Sequence, residues 1–470
     1  MKAHSGGTKP DAEWLQSTNI LRVSGKEHSG GFVFPAHSER DTVSGKTGYD
    51  AERFRQVSDE TLCEMQERGI DPSVVFCPQS FPQLFHMYGK DGDSMRFPKA
   101  IEKAEQILTR FGGEAYIVGG CVRDALLDRP CHDYDLTTNL PPEHVIEAFT
   151  GYTVIPTGLR HGTVTVHIDG LPIDITTYRI DGTYTDGRHP VHVRFSTSLE
   201  DDLRRRDFTM NAVCYSTVRG FVDPFGGVDD IRAGIIRCIG DPLERFSEDA
   251  LRILRAIRFA AQLGFSVEPA TERAMYETAD GLARISAERI LSELSGALTA
   301  PYADAAFTAF HKLFKTVLPG CAAQPVRPLD SLPADKAVRF AAVLKNGASD
   351  SLAQLKSDRR TVEDVHFLHA YSCFSGGRIE LKKLLAAQGE RRTRLLLGYL
   401  GTDTSVLDDV LANKECFSLR MLAVNGRDIA ALGVAPQRIG SILHALLDDV
   451  MEGRAANEKN VLLQRAAEKT

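Results

Sequence analysis

From residue 98 to about 235 the apolar positions alternate between two periods. Ile101–Phe111 repeats apolar residues every three to four positions, which predicts an amphipathic helix. Ala115–Val118 is a short continuous apolar run and predicts a buried strand. Val122–Leu127 opens a second helix, Asp133–Thr137 a second strand, and Pro142–Phe149 a further helix. Thr163–Ile168 (Thr-Val-Thr-Val-His-Ile) alternates residue by residue. Through Asp169-Gly170, a hairpin signal, it is expected to pair with Leu171–Tyr178. Asp181–Phe195, with Gly182, Gly187 and Pro190, reads as a polar loop. From about 240 onward the period is helical: Ser247–Leu263, Ala270–Ile285, Ala287–Leu298, and further amphipathic segments to Glu468. Gly320–Ala334, broken by Pro325, Pro328 and Pro333, is the expected linker inside this helical part. The predicted class is α+β: a head with a small mixed sheet, then an all-helical remainder.

Length and composition refine this only a little. A chain of 470 residues exceeds one core, so roughly two to four domains are expected. Residues 1–94 lack periodicity, and Ser24–Asp50 is rich in Gly, Ser, His and Lys. We read 1–94 as a mostly disordered extension with some helix near Ala51–Arg68, and expect the folded protein to start at Met95. The nine cysteines are scattered, with no Cys-x-x-Cys, which fits reduced thiols in a cytoplasm better than a disulfide framework or a zinc site. No apolar run is long enough for a membrane span, the first residues do not read as a secretory leader, and no membrane partner is expected. A net charge of −7 argues mildly against a nucleic-acid binder, unless local arginine clusters override the average.

Such clusters exist, and they stand beside carboxylates. The strand Tyr116–Val118 ends in Gly119-Gly120, and a helix follows with Arg123 in its first turn. Free backbone N–H groups and an arginine fork suit phosphate, although a strand–Gly-Gly–helix turn is also a common structural device. Asp133 and Asp135 then fall two residues apart on a strand. That places them on one face, ~6.6 Å apart at Cα, where carboxylates can hold divalent metal ions. Asp174, on the neighbouring strand, is a candidate third carboxylate or an outward-facing polar residue. His132-Asp133 also fits the His-Asp pair of a metal phosphohydrolase, but the histidines show no further ligand set in the helical half. In Arg204-Arg205-Arg206-Asp207-Phe208-Thr209-Met210-Asn211, an arginine is available to a triphosphate, and Asp207 and Asn211 to ribose hydroxyls.

Glu248–Arg258 is expected to be one helix on which Asp249, Arg252, Arg255 and Arg258 recur at every third position. The stripe fits a surface salt-bridge ladder, and it also fits base recognition. An Asp acceptor next to Arg donors matches the amino group and ring nitrogen of cytosine or adenine. Guanine and uracil present the reverse order and would leave polar groups unpaired, at ~1–3 kcal/mol each.

These segments, with Asp223-Pro224-Phe225-Gly226-Gly227 between them, resemble in residues and order the bacterial class II tRNA nucleotidyltransferases. That family of CCA-adding enzymes and poly(A) polymerases lies in the polymerase-β nucleotidyltransferase superfamily. The resemblance implies template-free addition of C, C and A to a tRNA 3′ end from CTP and ATP. Mg²⁺ would be held by Asp133 and Asp135. It implies nucleotide contacts for Gly120, Arg123, Arg206, Asp207, Asn211, Asp249, Arg252, Arg255 and Arg258, with Asp249 and Arg252 reading the base edge. It further implies a catalytic head over 95–235, a neck over 236–300, a body over 301–415 and a tRNA-binding tail over 416–470. The tail carries Val424-Asn425-Gly426-Arg427-Asp428. The full-length segment Asp181–Phe195 argues against a CC-only member. Thr157–Thr163 resembles the CCA branch more than the poly(A) polymerases, which remain the alternative.

Overall fold

The structure is a computed structural model that describes Met95 and residues 97–131, 133–181 and 193–469. The expected extension, His132 and the middle of the polar loop lie outside the described residues.

The head begins with helix α1 (Lys99–Arg110), whose Ile101, Ala104 and Leu108 are buried as the period requires. Strand β1 (Ala115–Val118), helix α2 (Gly120–Leu126), strand β2 (Tyr134–Thr138) and helix α3 (Pro142–Ala148) follow, each within two residues of expectation. Strands β3 (Thr153–Gly158), β4 (Thr163–Ile168) and β5 (Leu171–Thr177) complete one half of the sheet. The β4–β5 hairpin turns at Asp169 (φ 51°) and Gly170 (φ 83°), the two left-handed residues that a tight primed turn needs. Strand β3 escaped the periodicity because Pro156 and Gly158 interrupt it. It sits at the sheet edge with a bulge between Ile155 and Gly158, where both are tolerated.

The expected polar loop has structured ends: β6 (Arg179–Asp181) pairs antiparallel with β7 (Val193–Phe195). Helix α4 (Leu199–Arg204) then leads to the short strands β8 (Cys214–Ser216) and β9 (Gly220–Val222). The seven-stranded sheet has the order β3-β4-β5-β2-β1-β8-β9. Within it β2 and β5 run parallel and the other pairs antiparallel.

One face of this sheet is covered over its central strands. Ile117, Leu136, Val164, Val166, Ile173 and Ile175 point into a core that continues without a break through the neck and body to Tyr399. Among the described residues the other face is covered at the β1/β8 end, where Tyr116, Val118, Cys214, Leu203 and Ile239 form a small cluster. At the β4/β5 end it carries Thr163, Thr165, Asp174 and Thr176, all at least partly exposed.

Helix α5 (Gly227–Ala233) follows the turn Asp223–Gly226. The Asp223 carboxylate caps it by accepting from the backbone N–H groups of Gly227 (2.8 Å) and Val228 (2.9 Å). A Cβ on Gly227 would stand 2.2 Å from the Thr209 carbonyl oxygen, so close packing against the arginine motif demands glycine there. Strand β10 (Ile235–Ile236) then pairs with β11 (Ser266–Val267), across helices α6 (Pro242–Glu248) and α7 (Leu251–Leu263).

The helix expected over Ser247–Leu263 is thus two helices. Asp249 is extended (φ −144°, ψ 100°), and its Oδ1 accepts from the Leu251 N–H (3.0 Å). It ends one helix and caps the next, the ordinary role of an Asp at a helix start. Helices α8 (Pro269–Glu277) and α9 (Ala287–Leu298) complete the neck.

The body starts with α10 (Ala303–Ala309), α11 (His311–Val317) and α12 (Lys336–Val343). The expected linker Gly320–Ala334 is packed against α12. Leu329 and Leu332 are buried, the N–H groups of Ala322 and Val326 donate to the carbonyls of Val343 and Ala342, and the Arg339 guanidinium donates to the carbonyls of Leu332 and Pro333. Prolines here remove donors that an extended strap does not need. The long helical segment Arg378–Leu400 breaks at Gly389 (φ 78°, ψ 168°), and Leu381, Leu385 and Leu397 from its two halves meet in one cluster. The tail has its own core, from Cys416 to Ala466, and Asn425 and Asp428 form a capping box at the start of Gly426–Ala430. Among the described residues no helix is long and apolar enough to cross a membrane.

Gly227→Ala should lower the denaturant midpoint by the equivalent of about 1–3 kcal/mol, because the added methyl meets backbone that cannot yield. Gly151→Ala, in open space at φ 97°, should show only the smaller backbone strain. Equal losses for the two would refute the packing role.

Candidate active site

The carboxylates gather where the sheet is open. Parallel pairing of β2 with β5 puts Asp135 directly opposite Asp174, and Asp133 lies two residues before Asp135 on the same side. The Asp174 carboxylate accepts from the Thr165 hydroxyl (2.5 Å), so Asp174 is brought beside the pair and is also tied to the next strand. Asp135 as a residue is exposed, yet desolvation of its carboxyl in the notch pushes that group above the usual range. The charges of Asp174 and Asp133 add to this, and Arg206 opposes it. Three acidic side chains with one facing arginine form a hard oxygen donor set, which suits a divalent cation. Among the described residues no three His, Cys, Asp or Glu side chains already converge on a single ion position.

The Gly119-Gly120 turn forms the other wall. Gly119 has φ 84° and ψ −142°, a conformation open to glycine. A Cβ there would lie 3.4 Å from Arg206 Nη1 and 3.6 Å from Asp135 Oδ2, so the turn, the arginine motif and the acidic pair share one notch. Arg206 is held by Asp202 (3.3 Å), which also takes Arg205 (2.7 Å) and the Thr137 hydroxyl (3.1 Å). The Arg206 Nε is buried with no hydrogen-bond partner. An orphan donor next to an acidic pair is the kind of group an anionic ligand satisfies.

From α2 a polar chain, buried at its centre, runs to the neck. The Arg123 guanidinium pairs with Asp124 (2.8 Å) and donates to Asn211 Oδ1 (2.8 Å). Asn211 Nδ2 donates to Asp207 Oδ1 (3.0 Å), and Arg255 donates to Asp207 Oδ2 (2.7 Å). Phe259 is enclosed by Arg123, Arg255 and Arg258, at 5.1, 5.4 and 4.4 Å from its ring centre, and meets Phe208 edge-on. Burial alone would raise the Asp207 carboxyl. The Arg255 charge and the bonds from Asn211 and Arg255 outweigh it and hold the group down at about 2.

The neck residues are all engaged, but not with one another as expected. Asp249 Oδ2 accepts from Arg289 of α9 (2.8 Å), not from Arg252. Arg252 is buried, pairs with Glu248 (2.7 Å) and donates to the carbonyls of Arg245 (3.0 Å) and Arg205 (3.2 Å). Arg258 pairs with Glu293. A Cβ on Gly296 would stand 2.7 Å from the Arg258 side chain, so the glycine makes room for it. A polar cleft of about 370 Å³ opens beside this network, lined by Arg123, Asp124, Arg129, Gln262 and Thr299 among others.

The structure thus joins Gly120, Arg123, Asp135, Arg206, Asp207, Asn211 and Arg255 into one assembly, and places Asp249, Arg252 and Arg258 on its neck side with partners of their own. Sequence reasoning missed Asp202, Glu248, Phe259, Arg289 and Glu293. Asp202 was readable three and four residues before Arg205 and Arg206. Arg289 was not, because 40 residues separate it from Asp249.

Comparison with known proteins gives a consistent picture. The Poly A polymerase head domain matches residues 115–237, and the probable RNA and SrmB-binding site of polymerase A matches 264–324. The CCA-adding enzyme of Leuconostoc mesenteroides is 45% identical over 201 residues, 42% of this chain and 50% of that protein. For this and similar relatives the aligned stretch spans about half the length of the curated protein. The CCA-adding enzyme of Lactobacillus delbrueckii subsp. bulgaricus is 34% identical over 382 residues, 77% of this chain and 95% of that protein. The crystal structure of Bacillus stearothermophilus CCA-adding enzyme in complex with CTP superposes with a TM-score of 0.66 at 30% identity, covering 79% of this chain and 97% of that one. Thermotoga maritima CCA-adding enzyme complexed with tRNA shares the fold at a TM-score of 0.59 and 19% identity, covering 80% of this chain and 97% of that one.

Asp207→Asn should cost about 3 kcal/mol near neutral pH by leaving the Arg255 charge without its partner. The Asp207 carboxyl is depressed in the folded state. Its contribution is therefore complete above its unfolded pKa of about 3.9 and disappears as pH falls toward about 2. Denaturant titrations between pH 4 and pH 2 should give a stability slope about one proton shallower in the variant. An unchanged slope would show that Asp207 is not the depressed group.

Proposed function

We propose that this chain, which belongs to the family of CCA-adding enzymes, adds C, C and A to the 3′ end of tRNA from CTP and ATP, without a template and with release of pyrophosphate. The observation that carries the reading is the shared notch of Asp135, Gly119 and Arg206, joined by Asp207 to an arginine-bearing neck helix. The Bacillus stearothermophilus enzyme is seen in complex with CTP, and the Thermotoga maritima enzyme in complex with tRNA. We assign the same two ligand classes to this chain. The setting we assign is the cytoplasm.

The family implies a divalent metal, and we assign Mg²⁺, held by Asp133 and Asp135 with Asp174 alongside. When bound, the ion lowers the pKa of the attacking 3′-hydroxyl and neutralises charge on the leaving pyrophosphate. The chain's own groups do the rest. The N–H groups at Gly119-Gly120 and the Arg206 fork receive the triphosphate, and the rigid Arg123–Asn211–Asp207–Arg255 chain sets its distance from the acidic pair. We assign the ribose hydroxyls to Asp207 and Asn211, whose present bonds are to each other and to Arg255 and Arg123. Asp249 and Arg252 present acceptor and donors to the base edge, and each is preset by an opposite charge, Arg289 and Glu248.

The test offers tRNA lacking its 3′ end with CTP alone, ATP alone, or both, and sizes the products. Three nucleotides followed by a stop support the reading, whereas a long ladder from ATP alone assigns the chain to the poly(A) polymerases. Asp133→Ala should lose several kcal/mol of transition-state stabilisation, roughly 10³-fold in rate, while CTP binding partly survives. Normal turnover of that variant would refute the mechanism. Asp249→Ala should lose discrimination against UTP; unchanged discrimination would leave Asp249 a structural cap only.

A further inference from the structure

We infer that the primer's 3′-terminal bases stack on a platform built by Phe195, Leu159 and Ile155 at the β3/β4 edge, with Arg160 on the phosphates. This rests on the proposed function and assigns a place to its RNA substrate.

The argument starts from the two sides of Asp135. Gly119 and Arg206 occupy one side, where the triphosphate is assigned. In-line attack on the α-phosphate requires the hydroxyl to come from the other side. On that side the register runs from Asp135 to Asp174, then Thr165, then Ile155 on the edge strand, each directly opposite the last. Opposed residues share a face, so the three polar residues and Ile155 form one row leading outward from the acidic pair. Among the described residues nothing covers this face at its β4/β5 end.

Apolar groups and a basic one line the rim of the face. Ile155 is 38% exposed, Leu159 38% and Phe195 44%. Arg160, next in sequence to Leu159, is exposed, whereas Arg194 projects from the other face of the ribbon that carries Phe195. The Phe195 ring lies on Gly162, where a Cβ would come within 2.7 Å of it, and Gly162 also has φ 80°, so glycine is demanded twice. The ring is thus seated from below and open above. The ribbon that carries it is anchored in turn, because Arg179, opposite Phe195, donates to the His161 carbonyl. From Gly162 to Thr165, which bonds Asp174, is three strand residues, or ~10 Å. That is about the length of three stacked bases at 3.4 Å each.

Exposed aromatic and aliphatic groups with an arginine beside them form the surface that takes single-stranded nucleic acid of any sequence, by stacking and by phosphate contact. A flat apolar patch for a protein partner would not need to lie in register with the carboxylates of Asp135 and Asp174. A primer end must, since its terminal hydroxyl has to reach them.

The experiment uses the full chain and tRNA lacking its CCA end, with 2-aminopurine as the 3′-terminal base. Binding to the wild type should quench its fluorescence. Phe195→Ala should abolish most of the quenching and raise KM for the RNA about tenfold, while KM for CTP stays within twofold. Phe195→Trp should restore both, and Phe195→Leu should restore neither. Arg160→Ala should weaken RNA binding and flatten its salt dependence by about one ion. Unchanged quenching and unchanged RNA KM in Phe195→Ala, or full rescue by Leu, would overturn the platform. Quenching is read without added nucleotide, so it tests the platform even if incorporation is absent. Failure of the wild type to incorporate CTP would overturn the proposed function instead.

Discussion

Head and neck meet at the polar chain Asp124–Arg123–Asn211–Asp207–Arg255, packed around Phe259, and the geometry of the candidate site depends on it. It begins in the first turn of the Gly-Gly helix, crosses the arginine motif and ends on the neck helix. Ionised groups out of water are costly unless each has a partner. Here each does, so the network has few alternative arrangements and holds head to neck in one geometry. The continuous hydrophobic core also joins the two parts, but apolar packing alone would not set the spacing between a carboxylate pair and a cationic helix to hydrogen-bond precision.

The same polar chain explains why the sheet is half covered. Leu203 and Ile239 reach over β1 and β8 because the arginine motif must lie there to meet Gly119, and they bury Tyr116 and Val118 as they do so. Nothing among the described residues covers β4 and β5 on that face, so Thr163, Thr165 and Asp174 remain accessible. A sheet with one apolar and one polar face usually wets the polar face along its whole length. Here the polar face is divided, and the division falls at Asp135, the residue that on the proposed reading must meet a nucleotide from one side and a hydroxyl from the other.

Most of the head was legible because its signals are local. The β4–β5 hairpin follows from six alternating residues and Asp-Gly. Strand β1 matches its apolar run to the residue, and α2 follows from the Gly-Gly turn. Strand β3 was not legible, because Pro156 and Gly158 carry the signature of a loop until an edge position is known. The break at Asp249 was hidden for a related reason. The three-residue spacing of Asp249 with the arginines fits one helix as well as a cap followed by a helix, and only φ and ψ distinguish the two. The packed strap 320–334 misled because proline marks the absence of regular structure, not the absence of contacts. In the site, the chemical types were readable but the partners were not. Arg289 and Glu293 find Asp249 and Arg258 across the neck, through packing that no local window contains.

That partnering changes how base choice must work on the proposed reading. An exposed Asp and an exposed Arg would bind any complementary edge and would also collapse onto each other when empty. Asp249 instead has one oxygen on the Leu251 N–H and the other on Arg289. Arg252 is spread over Glu248 and two carbonyls. Neither needs a base to be satisfied, so a base gains little from the Coulomb attraction of an unpaired charge. What it can gain is hydrogen bonds at the remaining lone pairs and N–H positions, and those are directional. A mismatched edge must then displace a partner already in place, at the cost of a buried polar group left unmade. On the proposed reading, discrimination comes less from attraction to the right base than from how firmly Arg289 and Glu248 resist rearrangement by the wrong one.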